Sequence, residues 1–107
     1  MDYKQLYAEL TSKMENELPL TAYPIRELVQ VFREKNFPVT LKSKLTITSV
    51  FNSGDISGII CKIKFGDDKV HACSLTHLIF EKNFKLYNEV LRYQEKRYKR
   101  IQQLNKM

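Results

Sequence analysis

The chain has 107 residues and a formal charge of +6, with 18 Lys and Arg against 12 Asp and Glu. Hydrophobic residues make up 43% of it, enough for one modest core in a single domain, which excludes a disordered chain. No uninterrupted apolar stretch approaches the length of a membrane-spanning helix, so we expect no membrane span.

Two amphipathic helices are predicted at the start of the chain. Apolar residues recur at spacings of three and four over residues 2–15, which is the pattern of an amphipathic helix. Residues 18–21 end this helix, because proline disfavours helical geometry in the residue before it. Pro24 suits the first turn of a second helix, which we expect to stop near Asn36.

The middle of the chain predicts a three-stranded antiparallel meander. Residues 43–51 are rich in Thr and β-branched side chains and alternate as a strand does. Two further alternating runs, over residues 59–65 and 70–75, predict the second and third strands. The segments 52–55 and 66–68 carry turn-forming residues. Short polar connections favour an antiparallel sheet with one face packed and one face in solvent.

The apolar pattern also predicts how the second and third strands pair. Placing Phe65 opposite Val70 keeps the apolar side chains of both strands on one face. In that register Cys61 lies in the core, whereas His71 and Cys73 lie on the opposite face. We therefore expect Cys61 to act as a small apolar residue.

Zinc is the metal that the Cys and His residues of this region would suit. Cys61, His71, Cys73 and His77 are of the right residue types, but the predicted register separates them. The sequence also contains no C-x-x-C pair, so we expect no metal and no cofactor. Two cysteines do not make a disulfide framework, so the expected compartment is the reducing cytoplasm.

A long C-terminal helix over about residues 84–104 is the clearest predicted element. At 100° per residue, one side of it holds Tyr87, Val90, Gln94, Tyr98 and Ile101. The expected architecture is therefore α+β, with all of residues 1–107 in one domain. It comprises two N-terminal helices, a three-stranded antiparallel β-meander and a long C-terminal helix packed on one sheet face.

Positive charge is concentrated near the C-terminus. Residues 81–107 hold eight basic and three acidic side chains, whereas residues 1–80 carry a charge of only +1. A basic wedge from Lys85 to Lys99 covers about 21 Å of the helix axis, long enough to meet several phosphates. Tyr93 borders this wedge and is placed to stack on a base. The predicted anion-binding residues are Lys85, Arg92, Lys96, Arg97, Lys99 and Arg100.

The sequence thus predicts a small non-enzymatic binding domain that contacts an anionic partner through its basic helix. Nucleic acid is the leading candidate by charge, and an acidic protein is its rival. A basic outer helix face that serves only solubility is the competing interpretation. No combination of nucleophile, base and oxyanion-stabilising group is present, so we expect no catalytic residues, and no small-molecule substrate is evident.

A different class of function is a protein-interaction or assembly module, including a homodimer. It would use an exposed sheet edge or a helix seam formed by Phe84, Tyr87, Leu91, Tyr98 and Ile101. An apolar interface should survive high salt, whereas polyanion binding should weaken steeply. We expect no membrane partner, because the apolar side of the helix is needed to cover the sheet.

Overall fold

A computed structural model describes residues 3–65 and 69–106, so the predicted turn at 66–68 lies outside the described residues. The fold is α+β, with a five-stranded antiparallel sheet and a long C-terminal helix. The described ranges contain no helix long and apolar enough to cross a membrane. The helices are α1 (Tyr3–Glu15), α2 (Arg26–Glu34), the one-turn α3 (Gly54–Ser57) and α4 (Tyr87–Asn105). The strands are β1 (Leu20–Pro24), β2 (Leu45–Asn52), β3 (Ile59–Phe65), β4 (Lys69–Ser74) and β5 (Leu78–Ile79).

The strands lie in the order β4-β3-β2-β1-β5, and every neighbouring pair is antiparallel. The three predicted strands correspond to β2, β3 and β4, so the antiparallel sheet is confirmed but its count of three strands is wrong. The strand β1 was not predicted, because its residues were assigned to the end of the first helix and the first turn of the second. β1 nevertheless alternates between buried and less buried residues. Its proline is tolerated because β1 pairs with β2 only over residues 20–22, so no β2 residue needs a backbone N–H from Pro24.

The register of β3 and β4 differs by one residue from the predicted one. Cys61 pairs directly with Cys73, so both lie on the core side of the sheet and the prediction that separated them is wrong. Val70 is 59% exposed on the other face. The cost of exposing Val70 is offset because Cys73 is buried and the His71 ring packs edge-on against Phe32, with 4.9 Å between ring centroids.

Helices cover one face of the sheet and leave the other open. Along β1, β2 and β3, buried side chains alternate with exposed or half-buried ones, apart from an irregularity in the pairing of β2 with β3. The buried side chains of α1, α2 and α4 join those of the strands in a single hydrophobic cluster. Among its most deeply buried members are Tyr7, Met14, Phe32, Ile47, Ile63, Val90 and Tyr93.

The helix α4 begins at Tyr87, three residues later than predicted, and no side chain caps it. Its buried residues are Val90, Tyr93 and Arg97, whereas Tyr98 is 49% exposed. The predicted apolar side is therefore rotated about the helix axis from the side that is buried. The reason is that α4 packs beside α1 and above the start of β3, where the polar groups of Tyr93 and Arg97 have hydrogen-bond partners.

Side chains of α4 also hold the short edge strand β5 and the turn before it. Gln94 donates hydrogen bonds from Nε2 to the carbonyl oxygens of Leu75 (3.0 Å) and Leu78 (2.8 Å). The Tyr98 hydroxyl donates to the carbonyl oxygen of Thr76 at 3.1 Å. These hydrogen bonds from α4 side chains attach β5 and the turn before it to α4.

Candidate anion-binding surface

Three of the six predicted residues form a row along one side of α4. Arg92 and Lys99 are exposed, and Lys96 lies half-buried between them. Their spacings of four and three residues keep them on one side of the helix over about 10 Å. Within the part of the chain that the structure describes, none of the three forms an ion pair. We call Arg92, Lys96 and Lys99 the α4 row.

Lys85 does not extend this row, because it precedes the first residue of α4. Its Nζ atom lies 3.0 Å from Oε1 of Glu17 in an ion pair in which the Lys85 side chain is 79% exposed. Such an exposed pair stabilises a protein by at most about 1 kcal/mol. The predicted 21 Å helical wedge is therefore reduced to the α4 row.

Arg97 lies inside the protein rather than on its surface, with only 3% of its area exposed. Its guanidinium donates hydrogen bonds to the carbonyl oxygens of Asp55 and Ile56 in α3, and to the Tyr7 hydroxyl at 3.1 Å. The same group lies over the Tyr7 ring, 5.8 Å from its centroid. Arg97 is thus engaged in fixing α3 against α1 and α4, and it does not face an external anion.

Arg100 is likewise committed to α3. Its Nε atom donates to both carboxylate oxygens of Asp55, at 2.8 and 3.0 Å, and its terminal nitrogen forms an ion pair with the same group. Its guanidinium also lies 5.2 Å from the centroid of the Tyr3 ring. Hydrogen bonding to Arg100 lowers the pKa of the Asp55 carboxyl, so the pair stays ionised. We call Arg97, Arg100 and α3 the arginine clasp.

A glycine and a tyrosine complete the packing around the clasp. Gly58 has a φ of +71°, and a Cβ at this position would lie 2.5 Å from Oη of Tyr93 and 2.8 Å from Nε of Arg97. The Tyr93 hydroxyl accepts a hydrogen bond from the backbone N–H of Ile59 at 2.8 Å, and burial raises the pKa of Tyr93 to about 12. Tyr93 is fully buried, so the prediction that it stacks on a base is wrong.

The α4 row borders a groove of about 120 Å³ between α1 and α4. Lys13 of α1 lines this groove beside Arg92 and Lys96, which adds a fourth cation to the surface. Glu9 and Glu89 line the same groove, so the charges there are mixed in sign. Lys13 escaped the sequence prediction because only the packing of α1 against α4 brings it next to the row.

The cysteines and histidines do not combine into a metal site in the described ranges, where no three potential His, Cys, Asp or Glu ligands come together. Cys61 and Cys73 are buried free thiols. Burial raises the pKa of both, that of Cys73 to about 12, so they stay protonated and unreactive. His71 accepts a hydrogen bond from Lys35 at 3.3 Å, and burial followed by the charge of Lys35 lowers its pKa.

An exposed apolar patch lies near β5, on the side of α4 away from the clasp. Ile79 is 52% exposed, Tyr98 49% and Leu91 39%. Of the predicted helix seam, Leu91 and Tyr98 therefore reach the surface, and the remaining members are half-buried. Phe84 precedes the helix and stacks on Phe80, with 4.9 Å between ring centroids.

The six predicted residues thus separate into three groups. Three form the α4 row, one stands before the helix in an ion pair, and two belong to the arginine clasp. The chain matches no protein-family model, no curated protein and no solved structure.

Proposed function

We propose that this protein is a small non-enzymatic binding domain that contacts an anionic partner, nucleic acid, through the α4 row. The observation that supports this function is the contrast in charge pairing on α4. Arg100 is paired with Asp55, whereas Arg92, Lys96 and Lys99 face solvent without an ion pair among the described residues. Cations of this kind bind phosphates and release condensed counterions, which is the main source of sequence-independent affinity for nucleic acids.

The packing of α4 holds this row in a fixed arrangement. Val90 and Tyr93 are buried in the core on one side of the helix, and Arg97 fixes the same side to α3. The row covers about 10 Å, enough for roughly three phosphates of one duplex strand at about 3.4 Å each. Lys13 broadens the surface toward α1, while Glu9 and Glu89 limit its total charge.

Salt-dependent binding tests this function directly. Labelled single- and double-stranded RNA and DNA are titrated with the protein by fluorescence anisotropy at about 50 mM and about 200 mM salt. We expect the affinity for nucleic acid to fall steeply from the lower to the higher salt concentration. The triple variant Arg92→Gln, Lys96→Gln, Lys99→Gln should bind about tenfold more weakly or worse, and its salt slope should be smaller by about 2 to 3.

The matched control is a second triple variant that loses the same charge from the strands: Lys62→Gln, Lys64→Gln, Lys69→Gln. All three lysines are exposed and lie away from α4. This control should retain the salt slope of the parent protein. Equal losses in both variants would show that only net charge matters, and an absence of binding at low salt would contradict the proposed function.

The apolar patch near β5 favours a second candidate function, a protein-interaction or assembly module. Ile79, Leu91 and Tyr98 expose apolar area beside a short edge strand. Sedimentation equilibrium separates this function from the first, because an apolar contact persists at high salt. A dimer that persists at about 1 M salt and dissociates in Ile79→Ser, Leu91→Ser would support it. A monomer at every concentration would contradict self-assembly.

A further inference from the structure

A second basic surface lies between α2 and the loop that follows it, at a distance in the sequence from all predicted site residues. It is an open depression of about 550 Å³. This volume lies within the usual range for small-molecule sites. The depression, which we call the α2 pocket, is lined by Arg26, Val29, Arg33, Thr40, Leu41 and Lys42.

The charge of the α2 pocket is of one sign. Arg26, Arg33 and Lys42 line it, and no Asp or Glu is among the lining residues. None of the three cations forms an ion pair within residues 3–65 and 69–106. Glu27 and Glu34 each follow an arginine by one residue, and so project about 100° away around the axis of α2. Three cations therefore line the pocket, with no carboxylate among its lining residues.

The geometry of α2 explains why its two arginines share the pocket. Arg26 and Arg33 are seven residues apart, which places them on one side of the helix, two turns and about 10 Å from each other. The neighbouring side carries Leu28 and Phe32, both buried in the core. Val29 lies between these two sides, 6% exposed, and supplies an apolar floor to the pocket.

The loop on the opposite side is ordered by its own hydrogen bonds. The backbone N–H of Thr40 donates to Oγ of Ser43 at 2.9 Å, and the N–H of Lys42 donates to Oγ1 of Thr40 at 3.2 Å. The N–H of Ser43 in turn donates to the carbonyl oxygen of Thr40 at 3.0 Å. This turn holds Lys42 across from the arginines and presents Leu41, which is 52% exposed, as an apolar wall.

We propose that the α2 pocket binds the phosphate group of a small organic phosphate ester. Guanidinium groups match the oxygen geometry of phosphate with paired N–H donors, and the Lys42 ammonium adds a third positive charge. The apolar wall and floor, Leu41 and Val29, contact the organic part of the ligand. This site is independent of the function proposed for the α4 row, because the two surfaces share no residue.

The probes are inorganic phosphate, adenosine 5′-monophosphate and adenosine, added to ¹⁵N-labelled protein at constant ionic strength. Amide chemical shifts report where each probe binds and whether the binding saturates. We expect saturable shifts at Arg26, Arg33 and Lys42 with both phosphates, tighter binding of the nucleotide than of phosphate, and no saturable shifts with adenosine.

Two triple variants with equal loss of charge complete the experiment, and their amide spectra show whether each is folded. Arg26→Gln, Arg33→Gln, Lys42→Gln should raise the apparent Kd for the nucleotide about tenfold or more. The α4 row variant described above should leave that Kd unchanged within about twofold.

Shifts that grow linearly without saturation, or equal weakening in the two variants, would overturn the site. Saturable binding of adenosine at the pocket would overturn the role of phosphate, and a nucleotide bound no more tightly than phosphate would overturn the role of the organic part. Each of these results is independent of whether the α4 row binds nucleic acid.

Discussion

Arg92 and Arg97 lie five residues apart on the same helix and have opposite environments. Arg97 is 3% exposed and donates to two carbonyl oxygens of α3, whereas Arg92 is exposed and lies in the α4 row. The difference arises from α3, because a one-turn helix leaves carbonyl oxygens without backbone donors. A cation on α4 therefore stabilises the fold where unpaired carbonyl oxygens face it. Where it faces only solvent, it is available to bind an anionic partner.

The largest expected effect tests how closely the arginine clasp is packed. We expect Gly58→Ala to lower the free energy of unfolding by about 3 to 4 kcal/mol, because the backbone conformation favours glycine and the new Cβ would clash with Tyr93. Gly54→Ala is the matched control. Its φ of +85° is also unfavourable, but apart from its chain neighbours and the backbone of its own helix no described atom lies within 4 Å of the added Cβ, so we expect a loss of about 1 kcal/mol. Urea denaturation measures both, and equal losses would contradict the close packing.

The next effect compares the two arginines directly. We expect Arg97→Ala to cost about 3 kcal/mol of unfolding free energy, because it leaves two carbonyl oxygens and the Tyr7 hydroxyl without their donor. Arg97→Lys should recover part of this loss, since one ammonium cannot reach all three acceptors with the geometry of a guanidinium. Arg92→Ala should change stability by less than about 0.5 kcal/mol. If Arg92→Ala and Arg97→Ala lowered the free energy of unfolding by similar amounts, the two arginines would not differ in their contribution to stability.

A smaller and pH-dependent effect is expected at Asp55. Hydrogen bonding to Arg100 holds the pKa of the Asp55 carboxyl below its ordinary value of 3.8. Because the folded-state pKa is depressed, the stabilisation is fully present above the unfolded-state value and is lost as the pH falls through the folded-state value. Asp55→Asn should therefore be less stable than the parent at neutral pH, and the gap should narrow below about pH 4.

Urea denaturation at neutral and acidic pH measures this gap. The control introduces Asp55→Asn into an Arg100→Gln background, where the narrowing of the gap should largely disappear. A gap that stays constant with pH in the parent background would show that the carboxylate charge does not stabilise the clasp.

The smallest expected effect concerns the α4 row. In urea denaturation, the triple variant Arg92→Gln, Lys96→Gln, Lys99→Gln should have the same free energy of unfolding as the parent, within about 0.5 kcal/mol. The reason is that these side chains form no ion pair with the described residues. A loss above about 1 kcal/mol would mean that the row supports the fold, as the clasp does.

Long periodic segments allowed much of the fold to be predicted from the sequence. The helix predicted over residues 2–15 agrees with α1, and the strand predicted over residues 59–65 agrees with β3. β1 and β5 have five and two residues, too few to establish a period, and their pairing joins segments more than 50 residues apart. The predicted β3–β4 register was wrong because it was chosen to bury Val70 and Ala72. The observed register buries Cys73 instead.

The candidate site was predictable only where it depends on local spacing. Arg92, Lys96 and Lys99 follow from helical geometry, and the structure places them together on one side of α4. Arg97 looked equivalent to them because the charge pattern counts cations without their partners. The carbonyl oxygens that bind Arg97 come from residues about 40 positions earlier in the chain, so no local sequence pattern predicts this contact.

The attachment of β5 to α4 bears on how this edge of the sheet would meet another strand. Exposed sheet edges recruit further strands, and a molecule with two free edges is able to form endless filaments. Here Gln94 occupies the carbonyl oxygens of Leu75 and Leu78, and Tyr98 occupies that of Thr76. A new strand on the β5 side would have to displace these hydrogen bonds first, so we expect this edge to resist pairing with another chain.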